Sequence, residues 1–211
     1  MDFYTNFLRR GDKIYVRGYR NGKRFHERVP YSPTLYIPTN KPSNYKTVKG
    51  VPVEPVKQGS ITDAKEFIAK YGDIQNFEIY GSNKYEYCFI NEQYPKVDYD
   101  VNLIRVANID IEVGSESGFP DPADVAEPIT AITIYFKGVY WVLGIGEYKQ
   151  HREDVRYIRC NNENDLILKF LDMWQKMDVD IITGWNTQFF DIPYLYRRIE
   201  KKFDERMAKK L

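Results

Sequence analysis

The chain of 211 residues is poor in the side chains that build metal clusters and covalent cross-links. Cysteine occurs twice, at Cys88 and Cys160, far apart and without C-x-x-C spacing, which favours free thiols in a reducing compartment over a disulfide or a zinc site. Histidine also occurs twice, at His26 and His151, each isolated in sequence. No apolar run approaches the roughly 18 residues of a membrane span. The opening MDFYTNFLRR lacks the basic-then-apolar order of a signal peptide, so a cytoplasmic protein is expected. Internal repeats and low-complexity tracts are absent as well. The apolar fraction of 43% over this length is enough for a substantial core in one large or two small domains.

Net charge is only +1, yet it is unevenly spread. Residues 1–30 hold eight Lys/Arg against three acids, and residues 197–211 hold seven against three. Between them, residues 108–127 carry Asp110, Glu112, Glu116, Asp121, Asp124 and Glu127 with no Lys or Arg. An acidic centre between basic segments suits metal-dependent work on a polyanion; local charge fluctuation on solvated faces is the plain alternative.

In the first hundred residues, 14–20 and 23–29 flank Asn21-Gly22, the signal of a type I′ hairpin. Its Tyr15, Arg17 and Tyr19 suit base stacking and phosphate neutralisation, or equally a half-exposed hairpin with wet arginines. Six prolines between residues 30 and 55 indicate edge strand and ordered loop around 34–37. Helical spacing of Ala64, Phe67, Ile68 and Tyr71, ended by Gly72, predicts a helix over 62–71. Residues 77–80 and 85–90 read as strands, and the polar stretch 93–102 as a linker. The chain is thus divided into a small α+β domain, 1–102, and a second domain, 103–211.

The second part turns on LIRVANIDIEVGSESG, residues 103–118. An apolar, β-prone run predicts a largely buried strand with Ile104, Val106, Asn108, Asp110 and Glu112 on one face and Ile109, Ile111 and Val113 on the other. Two carboxylates side by side repel each other unless a cation lies between them, and hard divalent ions take oxygen ligands. Solvated acids at a strand end would look the same. After an acidic Gly/Pro-rich loop bearing Phe119, a hairpin is expected over 129–136 and 139–145 and a strand over 155–160. An amphipathic helix over 163–178 and a strand over 179–183 follow. Asp191 then opens a helix whose apolar stripe is Ile192, Leu195, Ile199 and Phe203; alone, Asp191 reads as its N-cap.

Taken together, ANIDIEV, GFPDP, PITAIT and TGWNTQFFDIPYLYRRI resemble the first two exonuclease motifs of family-B DNA polymerases, in particular those of large, myovirus-type tailed bacteriophages. The resemblance covers the N-terminal domain and the first part of the 3′–5′ exonuclease domain. It implies a small N-terminal α+β domain followed by an incomplete ribonuclease-H-like (DnaQ-like) exonuclease core with a mixed sheet. It further implies two-metal hydrolysis of the 3′-terminal phosphodiester of single-stranded DNA, with Mg²⁺ or Mn²⁺ held by Asp110, Glu112 and Asp191. Asn186 and Phe190 match the rest of the second motif, and Phe119 is placed to stack on a base or to tuck against the N-terminal domain. Single-stranded or primer-template DNA is the implied partner, and the host cytoplasm the implied location for a phage protein.

The family's third exonuclease motif, Tyr-x-x-x-Asp, has no match after Asp191, and polymerase palm motifs are absent. Activity of the chain by itself is therefore left open by the sequence. The expected rival role is a non-catalytic docking or nucleic-acid-binding module that completes a polymerase with a second chain, through an uncovered stripe on the last helix, with Trp185 and Phe189 adding to it.

Overall fold

The computed structural model describes residues 2–96, 98–116, 118–149 and 151–211. Two compact units divide the chain, Met1–Leu103 and Ile104–Leu211.

The first unit opens with three antiparallel strands, β1 (Asp2–Arg10), β2 (Lys13–Arg20) and β3 (Lys23–Pro30). Asn21 and Gly22 both take positive φ, 50° and 75°, as the two-residue turn requires, and Arg20 pairs with Lys23 across it. Ile14 and Val16 face inward, while Arg10 and Arg28 lie over the Tyr15 ring at 5.8 and 5.2 Å on the other face. A second sheet has β6 (Pro52–Lys57) between β4 (Thr34–Pro38) and β5 (Tyr45–Lys46). This proline-rich stretch is more regular than expected. Pro55 fits because β5 pairs only with Val53 and Pro52, so β6 has a partner on one side alone at that point.

Helix α1 (Ile61–Tyr71) starts at a capping box, with Ser60 Oγ accepting the Asp63 amide and the Asp63 carboxylate accepting that of Ser60. The two strands expected next do not form. Residues 77–80 contribute one antiparallel bridge, Tyr80 to Tyr36, between positive-φ residues Asn76 and Gly81. Residues 85–93 form helix α2 (Tyr85–Gln93). Tyr85, Phe89 and Ile90 pack on Ile14 and Val16, whereas Tyr87, which a strand would put beside Tyr85 and Phe89, is 60% exposed. Burial at helical spacing overrides local β propensity here.

The second unit is mixed α/β. Its sheet runs β10-β9-β8-β7-β11, made of β7 (Val106–Val113), β8 (Ile129–Phe136), β9 (Val139–Gly144), β10 (Val155–Arg159) and β11 (Ile181–Thr183). Strands β7, β8 and β9 are antiparallel neighbours, and β10 and β11 join the two edges in parallel. Helix α3 (Glu163–Met177), capped by Asn162, lays Leu166, Ile167, Phe170 and Trp174 on the core that Ala107, Ile109 and Ile111 of β7 line. Each of these large side chains contributes about 1.5–3 kcal/mol by leaving water. Helix α4 (Asp191–Lys202) and the short α5 (Glu205–Ala208) complete the unit.

Two expectations are corrected here. Strand β7 is buried on one face only: Ala107, Ile109 and Ile111 are inside, while Val106, Asn108, Asp110 and Glu112 are exposed. The α4 stripe is covered, since Leu195 and Ile199 are fully buried and Ile192 and Phe203 pack on the same core.

Candidate active site

The site is built on the open face of β7. Asp110 and Glu112 stand on it two residues apart, opposite Thr133 and Ala131 of β8. Strict alternation puts both carboxylates outward because Ile109, Ile111 and the partly buried Val113 are needed inside.

Asp191 arrives by way of the other edge. Strand β11 pairs with β7 only as far as Thr183 with Asn108, and the chain then leaves through Gly184. A Cβ at Gly184 would collide with the Ile109 carbonyl oxygen and Thr187 Oγ1, so glycine is what permits this close approach. The chain turns at Asn186, in the left-handed region at φ 56°, whose carbonyl accepts the amides of Phe189 and Phe190. Asp191 follows as the first residue of α4, not as its cap; Phe190 is the N-cap, without a capping side-chain bond among the described residues. The Asp191 carboxylate is 3% exposed and accepts the Ile111 N–H at 3.1 Å, continuing the ladder that β11 has left.

Electrostatics tie the three acids together. Burial raises the Asp191 pKa above its ordinary value, the Ile111 amide and its own backbone amide oppose this, and the charges of Asp110 and Glu112 raise it further. Among the described residues, no three His, Cys, Asp or Glu side chains close around one point as a ready metal cage. The donor set, three carboxylates in one field, fits a hard oxygen-seeking divalent cation, which would relieve their mutual repulsion.

Aromatic rings border these acids. Phe119 is 85% exposed, with its ring centre 5.3 Å from that of Phe190, and Phe190 lies 5.6 Å from Tyr194. Asn186, Trp185 and Phe189 are exposed on the turn before α4. Of the residues singled out in the sequence, Asp110, Glu112 and Asp191 thus share one electrostatic neighbourhood, and Phe119 meets Phe190.

The sequence reading missed Glu163 and Arg198. Arg198 donates to the Glu163 carboxylate at 2.7 and 2.8 Å, with both side chains less than a tenth exposed. Glu163 also accepts the Ile129 amide at 2.8 Å. The available signal was a cation on the inward side of α4, at the spacing of Asp191, Tyr194 and Leu195. Part of the basic C-terminal segment is consequently spent inside the unit: Arg197, Arg198 and Lys201 all bind loop carbonyls.

The site is thus a sheet face carrying two carboxylates, a third brought to it by α4, and a ring pair beside that third acid. The chain belongs to DNA polymerase family B, exonuclease domain, whose family model matches residues 67–210. It is 31% identical to the DNA-directed DNA polymerase of Escherichia phage RB69, over all of this chain and 27% of that protein. Similarity to the DNA-directed DNA polymerase of Enterobacteria phage T4 is 30%, over 99% of this chain and 26% of that protein. The DNA polymerase delta catalytic subunit of Oryza sativa subsp. japonica is 31% identical over 46% of this chain and 9% of its own length. The chain therefore spans about a quarter of the phage polymerases it matches. Among the described residues, no helix is long and apolar enough to cross a membrane.

Proposed function

We propose that this chain supplies the metal-binding and strand-end-reading part of a 3′–5′ proofreading exonuclease acting on single-stranded DNA, with residues 1–102 as an N-terminal domain and 103–211 as exonuclease. The observation that carries the reading is Asp191, brought across from α4 to hydrogen-bond β7 inside the field of Asp110 and Glu112. A sheet in which the first strand, β7, lies between its antiparallel neighbour β8 and the parallel edge strand β11 supports a ribonuclease-H-like arrangement.

Asp110, Glu112 and Asp191 would hold Mg²⁺ or Mn²⁺. Such ions, when bound, supply Lewis-acid polarisation of the phosphate and a hydroxide at neutral pH. The protein's own share is to keep Asp191 ionised against burial through the Ile111 amide, to hold two acids outward from a rigid strand, and to offer Phe119 for a terminal base. Asn186 and Phe190 would border the same strand end.

A 3′-labelled oligonucleotide incubated with the chain and Mg²⁺ or Mn²⁺ tests this. Release of 3′ mononucleotides should require the added cation. It should vanish in Asp110→Ala. Release that persists in Asp110→Ala would overturn the reading.

A docking role is the second reading, favoured by the open sheet face. Val106, Tyr135 and Ile181 are 42–44% exposed there, and Trp185 and Phe189 on the turn after β11 reach 92% and 72%. A chain bearing the rest of a polymerase is the partner this surface suits.

A further inference from the structure

The loop between β7 and β8 is held in an unusual way. Five backbone carbonyls between Pro122 and Glu127 accept hydrogen bonds from side chains of one helix, α4. Arg197 takes Pro122 O at 2.7 Å, Lys201 takes Asp124 O at 3.2 Å, and Tyr194 takes Glu127 O at 2.7 Å. Arg198 takes two, Val125 O at 2.8 Å and Ala126 O at 3.0 Å, with the same nitrogen. Its other two nitrogens are locked on Glu163.

The loop at this point is strained. Val125 is 3% exposed and adopts φ 46°, in the left-handed region that a β-branched residue avoids. A conformation of that kind persists only where its surroundings over-determine it, and such residues gather at functional sites. Arg198 clamps the two carbonyls that follow the strained φ of Val125, and Lys201 takes the one before it. The same loop carries Phe119, whose ring lies against Phe190 immediately before Asp191. Helix α4 therefore carries Asp191 at its first residue and, two turns later, holds the loop on which Phe119 sits.

From this geometry we infer that Arg198, oriented by Glu163, is a positioning residue for Phe119: it sets where the terminal base stacks without touching DNA itself. The inference rests on the strand-end reading proposed above, and it separates the recognition of the base from the holding of metal. Loss of Arg198 should loosen the loop and cost base stacking, while Asp110 and Glu112 on β7 stay in place.

The test uses Arg198→Gln, Phe119→Ala and the double variant of the full chain, read in two ways. Hydrogen exchange of amides 121–128 needs no DNA and should accelerate at least tenfold in Arg198→Gln, with the α3 amides unchanged. Quenching of 2-aminopurine at the 3′ end of an oligonucleotide, in EDTA, reports stacking. Phe119→Ala should weaken it about 5- to 150-fold, the range of one base–aromatic contact. Arg198→Gln should do nearly the same, and the double variant no worse. Unchanged loop exchange would overturn the inference outright. So would additive losses in the double variant, or full stacking in Arg198→Gln, because a merely structural role predicts one of those. If the wild-type chain fails to bind the 3′ end, the proposed function falls together with the base-reading half, and exchange still decides the loop-holding half. Should Arg198→Gln not fold, Tyr194→Phe removes only the Glu127 contact. It should give a smaller change in both readouts in the same direction, and no change in either would overturn the claim.

Discussion

Asp191 Oδ1 and the Ile111 amide, 3.1 Å apart, join helix α4 to strand β7 at the point where β11 stops pairing. The carboxylate does a strand's work there, satisfying a buried backbone donor. It does so at the cost of burial and of repulsion from Asp110 and Glu112, which together hold its pKa above the ordinary 3.8. A carboxyl raised in the folded state stabilises the fold fully below its unfolded pKa and loses that contribution as pH rises through the folded value. At neutral pH the ionised form is therefore a burden. Asp191→Asn keeps an oxygen for the Ile111 amide and removes the charge, so thermal unfolding at pH 7 should move upward, by about 2–4 °C for each kcal/mol relieved. A fall in melting temperature at pH 7 would show that the charge, not only the oxygen, holds the junction.

Cation binding should reverse that burden. Mn²⁺ added to the wild-type chain should raise its melting temperature, approaching about 2.7 kcal/mol of stabilisation at a hundredfold excess over Kd. In Asp110→Asn and Glu112→Gln the rise should shrink, because the two outward carboxylates of β7 supply most of the repulsion a cation relieves. An equal rise in all three proteins would place the ion elsewhere.

Much of this site was legible in the sequence, and the reasons differ by residue. That Asp110 and Glu112 share one strand face follows from strand periodicity, whereas the metal-binding role proposed for them rests on the resemblance to family-B exonuclease motifs. Asp191 was legible as the head of a helix but not as the partner of Ile111, because that contact spans 80 positions. Arg198 and Glu163 stayed hidden for the same reason: each reads as an ordinary surface charge until a residue 35 positions away removes it from water. In the first unit, Tyr85, Phe89 and Ile90 were misread as strand because β propensity is local, whereas their burial against Ile14 and Val16 is not. The open face of β7 was likewise invisible, since an apolar run does not say which of its two faces is covered.

Gly184 offers a steric test of the junction. Its missing Cβ leaves room for the Ile109 carbonyl and for Thr187, whose hydroxyl is buried without a hydrogen-bond partner among the described residues. Gly184→Ala should destabilise the second unit by about 1–3 kcal/mol, as overpacking does, and should weaken Mn²⁺ binding by displacing the chain that leads to Asp191. Chemical denaturation with and without the ion reads both effects. A variant as stable as wild type would mean that the turn moves aside freely and does not position Asp191.

The Glu163–Arg198 pair sets the acid limit of the second unit. Burial pushes the Glu163 carboxyl up, but the Arg198 bonds, the Ile129 amide and the charges of Arg198 and Lys202 outweigh it, leaving the pKa below its ordinary 4.5. A carboxyl lowered in the folded state contributes stability that is complete above the unfolded value and is lost as pH falls through the folded one. The loss should thus begin near pH 4.5 and deepen below it, and Glu163→Gln should flatten that part of the stability profile. At pH 7 the comparison changes. Arg198→Met leaves the buried Glu163 carboxylate with only Lys202, 3.4 Å away, and the Ile129 amide, and should cost up to about 3–5 kcal/mol, the usual penalty for breaking one side of a buried pair. Replacing both residues, as Glu163→Gln with Arg198→Met, removes the stranded charge and should recover part of that loss while leaving the Val125 and Ala126 carbonyls unclamped. Urea unfolding of the three variants at pH 7 and pH 4 distinguishes these terms. If Arg198→Met alone is no less stable at pH 7 than the double variant, then water reaches Glu163 and the pair is not sealed in the way its burial indicates.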